Sequence, residues 1–122
     1  MGAIDVRRLG LELNKFFAAQ MGLRGDHRLH VIEDLIILRC KNALAPAELE
    51  IGAMKAGRVL VKEVGERVCR ELRPRLDCLL REITGLQLLE VRVDLFWSQR
   101  EKAFLFSISD NIKLERRAGE HS

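Results

Sequence analysis

No stretch of this chain is apolar for long enough to cross a membrane. Its uninterrupted runs are short, such as Leu35–Leu38, against the roughly 20 residues that a spanning helix needs. The N-terminus also lacks the basic-then-apolar layout of a signal peptide, because Asp5, Arg7, Arg8 and Glu12 interrupt it. Gly2 follows Met1, but Val6 stands where a myristoylation signal carries Ser or Thr. Cytoplasm is the expected location. Cysteine is scarce and unpaired in spacing: Cys40, Cys69 and Cys78 form no C-x-x-C. On a helix, Cys69 and Cys78 fall about half a turn apart and face opposite ways. An odd count without ligand spacing reads as reduced, mostly buried thiols.

Patterns that carry chemistry are missing as well. There is no Gly-x-Ser-x-Gly, and no histidine stands near Cys69 or Cys78 in sequence. Gly22 and Gly25 follow no strand, so they do not announce a phosphate cradle. His27-x-x-His30 is the one clustered histidine pair. On a strand its members point to opposite faces, and a zinc site needs further ligands, of which Cys40 across a hairpin is the nearest. A loop histidine and a strand histidine explain the pair more simply. No catalytic residue, metal or cofactor is expected, and internal repeats and low-complexity tracts are absent.

What is present is enough for one domain. The chain has 122 residues, of which 48% are hydrophobic, and so suits a single core rather than disorder. A domain of this size buries only about two-thirds of its unfolded surface, which makes partner chains plausible. The net charge is +3, from 21 basic and 18 acidic residues interleaved along most of the chain. Nucleic-acid binders concentrate Lys and Arg on one stripe, whereas the densest basic stretch here, Arg67–Arg81, also carries Glu71 and Asp77. Nucleic acid is therefore not the expected partner.

Periodicity gives the elements. Val6, Leu9, Leu13, Phe16, Phe17 and Met21 mark an amphipathic helix over Ile4–Met21, with Asp5 at its start and Gly22 at its stop. Arg28–Ile32 and Leu35–Lys41 read as a tight hairpin about Glu33-Asp34. Its second strand is apolar on both faces, with Leu35 and Ile37 on one and Ile36, Leu38 and Cys40 on the other. Such a strand needs cover on both sides. Pro46 opens a short helix, and Gly52 and Gly57 bracket a joint. The strongest helical signal runs from Arg58 to Thr84, with Val61, Val64, Val68, Leu72, Leu76, Leu79 and Ile83 as its apolar stripe. Pro74 predicts a bend near Arg70–Pro74. In Gln87–Trp97, Leu89, Val91, Val93, Leu95 and Trp97 alternate with polar residues, and Lys102–Ser109 places Phe104, Phe106 and Ile108 on one face. The expected fold is α+β: a four-stranded, mainly antiparallel sheet of two hairpins packed by one long helix, with an N-terminal helix and a short helix before the long one. Residues 1–112 form the domain and 113–122 a charged tail. The sheet's second face must be covered by the N-terminal helix or by a second copy of the chain.

These segments resemble the MpsC-like family. The resemblance rests on Val31-Ile-Glu-Asp-Leu-Ile-Ile, Leu44-Ala-Pro-Ala-Glu, Gly57-Arg-Val-Leu-Val-Lys, Glu71-Leu-Arg-Pro-Arg-Leu, Ile83-Thr-Gly, Val93-Asp-Leu and Phe104-Leu-Phe. It spans Gly22 to Ser109. Ala45 departs from a family threonine, which removes a hydroxyl that would cap the short helix. The family's name implies a membrane-potential-generating, sodium-translocating system in bacteria, and a soluble accessory subunit suits a chain without a membrane segment.

Two sets of candidate contacts remain. Phe96 shares the strand parity of Glu90, Arg92 and Asp94, so a large aromatic lies on a polar face, as at interface hot spots. With Trp97, Leu35 and Ile37 it forms the expected partner or oligomer contact. The simpler alternative is that Phe96, Trp97 and Phe104 close one end of the core. Arg58, Arg67, Arg70 and Arg73 on the long helix are candidate anion contacts, against the simpler reading of a solvated face balanced by its own carboxylates. The leading expectation is a non-catalytic accessory or assembly domain, homo-oligomeric with a dimer favoured, peripheral to the membrane through a membrane-protein partner. The alternative is a small regulatory domain binding a nucleotide, anion or nucleic acid through those arginines.

Overall fold

A computed structural model describes residues 4–23 and 25–113; of the charged tail expected over 113–122, all but Lys113 lies outside them. Helix α1 (Val6–Met21) begins where the Asp5 carboxylate accepts a hydrogen bond from the Arg7 N–H at 2.9 Å. It ends at Gly22, left-handed with φ 65°, whose N–H donates to Ala18 O. Strands β1 (His27–Ile32) and β2 (Leu35–Cys40) follow as a hairpin. Its two-residue turn has no glycine, and Glu33 takes the left-handed φ of 55° that such a turn demands. In α2 (Pro46–Ile51), Ala45 supplies no capping oxygen, and the Glu48 carboxylate reaches back to accept from the Ala45 N–H at 2.9 Å.

Helix α3 (Lys55–Thr84) starts three residues before Arg58 and continues through the exposed Pro74 to Gly85, left-handed with φ 72°. β3 (Leu88–Phe96), a single 3-10 turn (Trp97–Gln99) and β4 (Glu101–Ile108) complete the chain. The four strands form one antiparallel sheet in the order β1-β2-β4-β3.

Both helices cover the same face of that sheet. Phe17 of α1 stacks on Phe104 at 4.3 Å between ring centroids, with Phe106 at 6.0 Å. Leu9, Leu13 and Phe17 join Cys69, Leu76 and Leu80 of α3 over Ile36, Leu38, Val93, Phe104, Phe106 and Ile108 in one buried core. α3 also borders the β3 edge: Asp77 Oδ1 accepts from the Leu88 N–H at 2.8 Å, and Arg73 donates to the Leu88 and Leu89 carbonyls. The first and last described residues meet through Ile4 N–H donating to Lys113 O.

Two sequence readings change. The β3–β4 register shifts between Leu88 and Glu90, so one extra residue breaks the alternation. Leu88 therefore turns inward, 2% exposed, and Leu89, expected on the core face, is 50% exposed. Val64, expected in the apolar stripe of α3, is also more than half exposed. At 30 residues α3 is about 45 Å long, while the eight residues of β4 span about 27 Å. Its first turns overhang the sheet. Cys40 and Cys69 are buried and Cys78 is exposed on the far side of α3 from Cys69, in keeping with mostly buried thiols and the half-turn spacing.

Candidate functional site: the open face of the sheet

With both helices on one side, the other face of the sheet has no layer over it among the described residues. Strand parity and register define this face row by row. Ile32, Leu35, Ser107 and Glu90 align across β1, β2, β4 and β3; next come His30, Ile37, Leu105 and Arg92, then Arg28, Arg39, Ala103 and Asp94. Glu101 and Phe96 close the last row. Leu35, Ile37 and Leu105 make an apolar centre that is only half-buried, flanked by Ile32 and Phe96, which are 58% and 45% exposed.

One ion pair is set into this face. Arg39 Nε donates to Glu101 Oε1 at 2.6 Å and its Nη2 to Oε2 at 3.3 Å, and the Glu101 side chain is almost fully buried. The fork geometry satisfies both carboxylate oxygens, and the hydrogen bond to Glu101 raises the Arg39 pKa above its ordinary value. On the covered side, burial pushes the Cys40 and Cys69 thiols up to about 11. Among the described residues no group of three or more His, Cys, Asp or Glu converges as a metal site would require. His27 points to the covered face, directly across from Cys40, and His30 to the open one.

Of the expected contact residues, Leu35, Ile37 and Phe96 share the open face. Trp97 does not. The chain leaves the strand after Phe96, and the indole packs against Gly52, where an added Cβ would sit 2.1 Å from Cζ3. Arg58 lies 5.5 Å above the ring and donates from Nε to Gly52 O at 2.8 Å. Phe104 is wholly buried. Strand parity therefore located Phe96, but it could not foresee a 3-10 turn that carries Trp97 away. Leu105 and Ile32, which parity also places here, belong to the same patch.

The four arginines of α3 do not converge. Arg58 is held at the α2–α3 joint, Arg73 donates to β3 carbonyls, and Arg67 is exposed elsewhere on the helix. Arg70 and Arg73 border a shallow groove against β3 that Arg92, Glu66 and Glu90 also line. Its mixed signs give no concentrated positive field. A second exposed apolar region follows the overhang of α3, where Met21, Ile51, Leu60, Val64 and Val68 line a groove over the Lys102–Glu48 ion pair, 3.0 Å long.

The fold is a two-layer α+β domain with helices on one side and a partly apolar sheet surface on the other. The family model for the Na+-translocating membrane potential-generating system (MpsC) matches residues 7–110, so the chain belongs to the MpsC family. Among curated proteins and among solved structures, none matches the chain at a significant level. No helix among the described residues is long and apolar enough to cross a membrane.

Proposed function

We propose that this chain is a non-catalytic accessory domain of the sodium-translocating system for which its family is named, and that it works by assembly through the open sheet face. The observation that carries this reading is the placement of both helices on one face. Of the two ways to cover the doubly apolar β2, the N-terminal helix is excluded by the stacking of Phe17 on Phe104. Among the described residues no element covers Leu35, Ile37, Leu105, Ile32 and Phe96, which supports their meeting another chain. Contiguous apolar surface rimmed by polar residues marks interaction sites in soluble proteins. The domain is homo-oligomeric, cytoplasmic, and reaches the membrane through a membrane-protein partner. The anion-binding alternative has weaker support, since Arg58 and Arg73 are already engaged with backbone carbonyls.

Sedimentation equilibrium of the purified chain tests the assembly reading. A dimer or higher multiple is expected in the micromolar range. Ile37→Asp should convert it to a folded monomer, with circular dichroism unchanged. A parent chain that stays monomeric at tens of micromolar would overturn the proposal.

A further inference from the structure

The charges around the open face select one way for two copies to meet. We infer that the occupant of this face is a second copy, stacked sheet on sheet, with its two-fold axis parallel to the strands. This inference rests on the assembly reading above and adds its geometry and specificity. Stacked sheets lie about 10 Å apart with strand directions within roughly 30°. Two two-fold axes in the plane between the sheets are then available, one along the strands and one across them.

With the axis along the strands, β1 of each copy lies over β3 of the other, and rows meet like rows. Arg28 then faces the partner's Asp94, twice by symmetry, because the two stand in one row of the register. Ile37 faces the partner's Leu105 and Arg39 the partner's Ala103, so the apolar centres coincide. His30 opposite Arg92 and Ile32 opposite Glu90 contribute no attraction. With the axis across the strands, each column lies over itself with its order reversed. With Ile37 and Leu105 each over its own copy, the β3 column stacks Arg92 on Arg92 and Asp94 on Glu90; slid so that Arg92 meets the partner's Asp94, the same axis lays Ile37 over the partner's Arg39 and His30 over the partner's Arg28. Like charges held opposite one another penalise the wrong partner arrangement. The first axis is the one that pairs opposite charges and keeps the apolar centres together. Arg28 is exposed, and the half-exposed Asp94 pairs through Oδ1 with the exposed Lys62 at 3.7 Å, a surface pair that leaves Oδ2 for the partner's Arg28.

Charge reversal tests the axis. Arg28→Asp and Asp94→Arg should each weaken dimerisation by about tenfold or more at low salt. The double variant Arg28→Asp/Asp94→Arg should recover the parent affinity, since it restores the pair with signs exchanged. Cross-linking gives a second measurement in a Cys78→Ser background. Chains carrying Ile37→Cys, mixed with chains carrying Leu105→Cys, should form a mixed disulfide in preference to either like-with-like species. If Ile37→Cys chains cross-link to one another instead, or the double variant stays as weak as the singles, the strand-parallel axis is overturned while assembly through this face stands. If the parent chain is monomeric, both fall together.

Discussion

Gly57→Ala separates two physical forces that predict opposite signs. Gly57 lies in the first turn of α3, and in a helix alanine is more favourable than glycine by about 1 kcal/mol. Local propensity alone therefore predicts a more stable protein. The structure predicts the reverse. A Cβ on Gly57 would stand 1.7 Å from the Ile51 carbonyl oxygen and 2.7 Å from its carbon. Carbon and oxygen come no closer than about 3.3 Å in weak hydrogen-bonded contacts, so the end of α2 and the start of α3 must separate by roughly 1.6 Å. The obstacle is backbone, so no rotamer change relieves it. Separation also disturbs the Arg58 Nε–Gly52 O hydrogen bond of 2.8 Å that clasps the joint. Overpacking of this kind costs about 1–3 kcal/mol, and the loss of the clasp places the result toward the upper end. Gly65→Ala is the internal control. Its Cβ would meet Val93 Cγ1 at 3.6 Å, an ordinary contact, so the propensity gain of up to about 1 kcal/mol should survive. Urea unfolding at constant m-value reads both variants. A Gly57→Ala chain as stable as its parent, or more stable, would refute the steric reasoning.

The sole tryptophan reports on the same joint: Gly52→Ala should displace the Trp97 ring from its seat and shift its fluorescence emission to the red, and an unchanged spectrum would mean that the ring does not rest on Gly52. Of the three cysteines, only exposed Cys78 should react with iodoacetamide in the native protein at neutral pH, with all three reacting in denaturant; mass spectrometry counts the adducts. The buried thiols also set an alkaline limit. Their folded pKa values lie near 11 against an ordinary 9.0, so their contribution is intact below pH 9 and is lost as pH rises from 9 toward 11, which Cys69→Ala should blunt. Asp77 acts in the opposite direction. The Leu88 N–H and then Arg81 hold its carboxyl below the usual carboxylate range, so its contribution is present at neutral pH and fades as pH falls through the ordinary carboxylate range. Asp77→Asn should flatten acid unfolding in that region.

Period and punctuation made most of the fold legible. The four-residue spacing of Leu9, Leu13 and Phe17 marked the face of α1 that is buried, and Gly22 and Gly85 stand where the helices stop. Alternation in β2 separated Leu35 and Ile37 from Ile36 and Leu38, which is the division between open and covered faces. Information that depends on distant residues was out of reach. Parity assumes an unbroken ladder, so the shift at Leu88–Glu90 misplaced Leu89, and the turn after Phe96 misplaced Trp97. Nothing local to α1 says which side of the sheet it covers; that choice is made by the fit of Phe17 against Phe104 and Phe106. The same fit decides that Leu105 and Ile37 are left as surface.

The contacts of Asp77 and Arg73 with the Leu88 and Leu89 backbone have a further effect on how this protein can go wrong. A sheet with two bare borders can add strands at either side without end, which is the route to fibres. Here β1 and β3 are both edge strands, and among the described residues side chains of α3 occupy the backbone of β3 at Leu88 and Leu89, where the strand begins. Strand addition at β3 is therefore hindered at its first residues, whereas β1 has no such guard among the described residues. Accidental edge pairing between copies is thereby steered toward β1 and away from the start of β3.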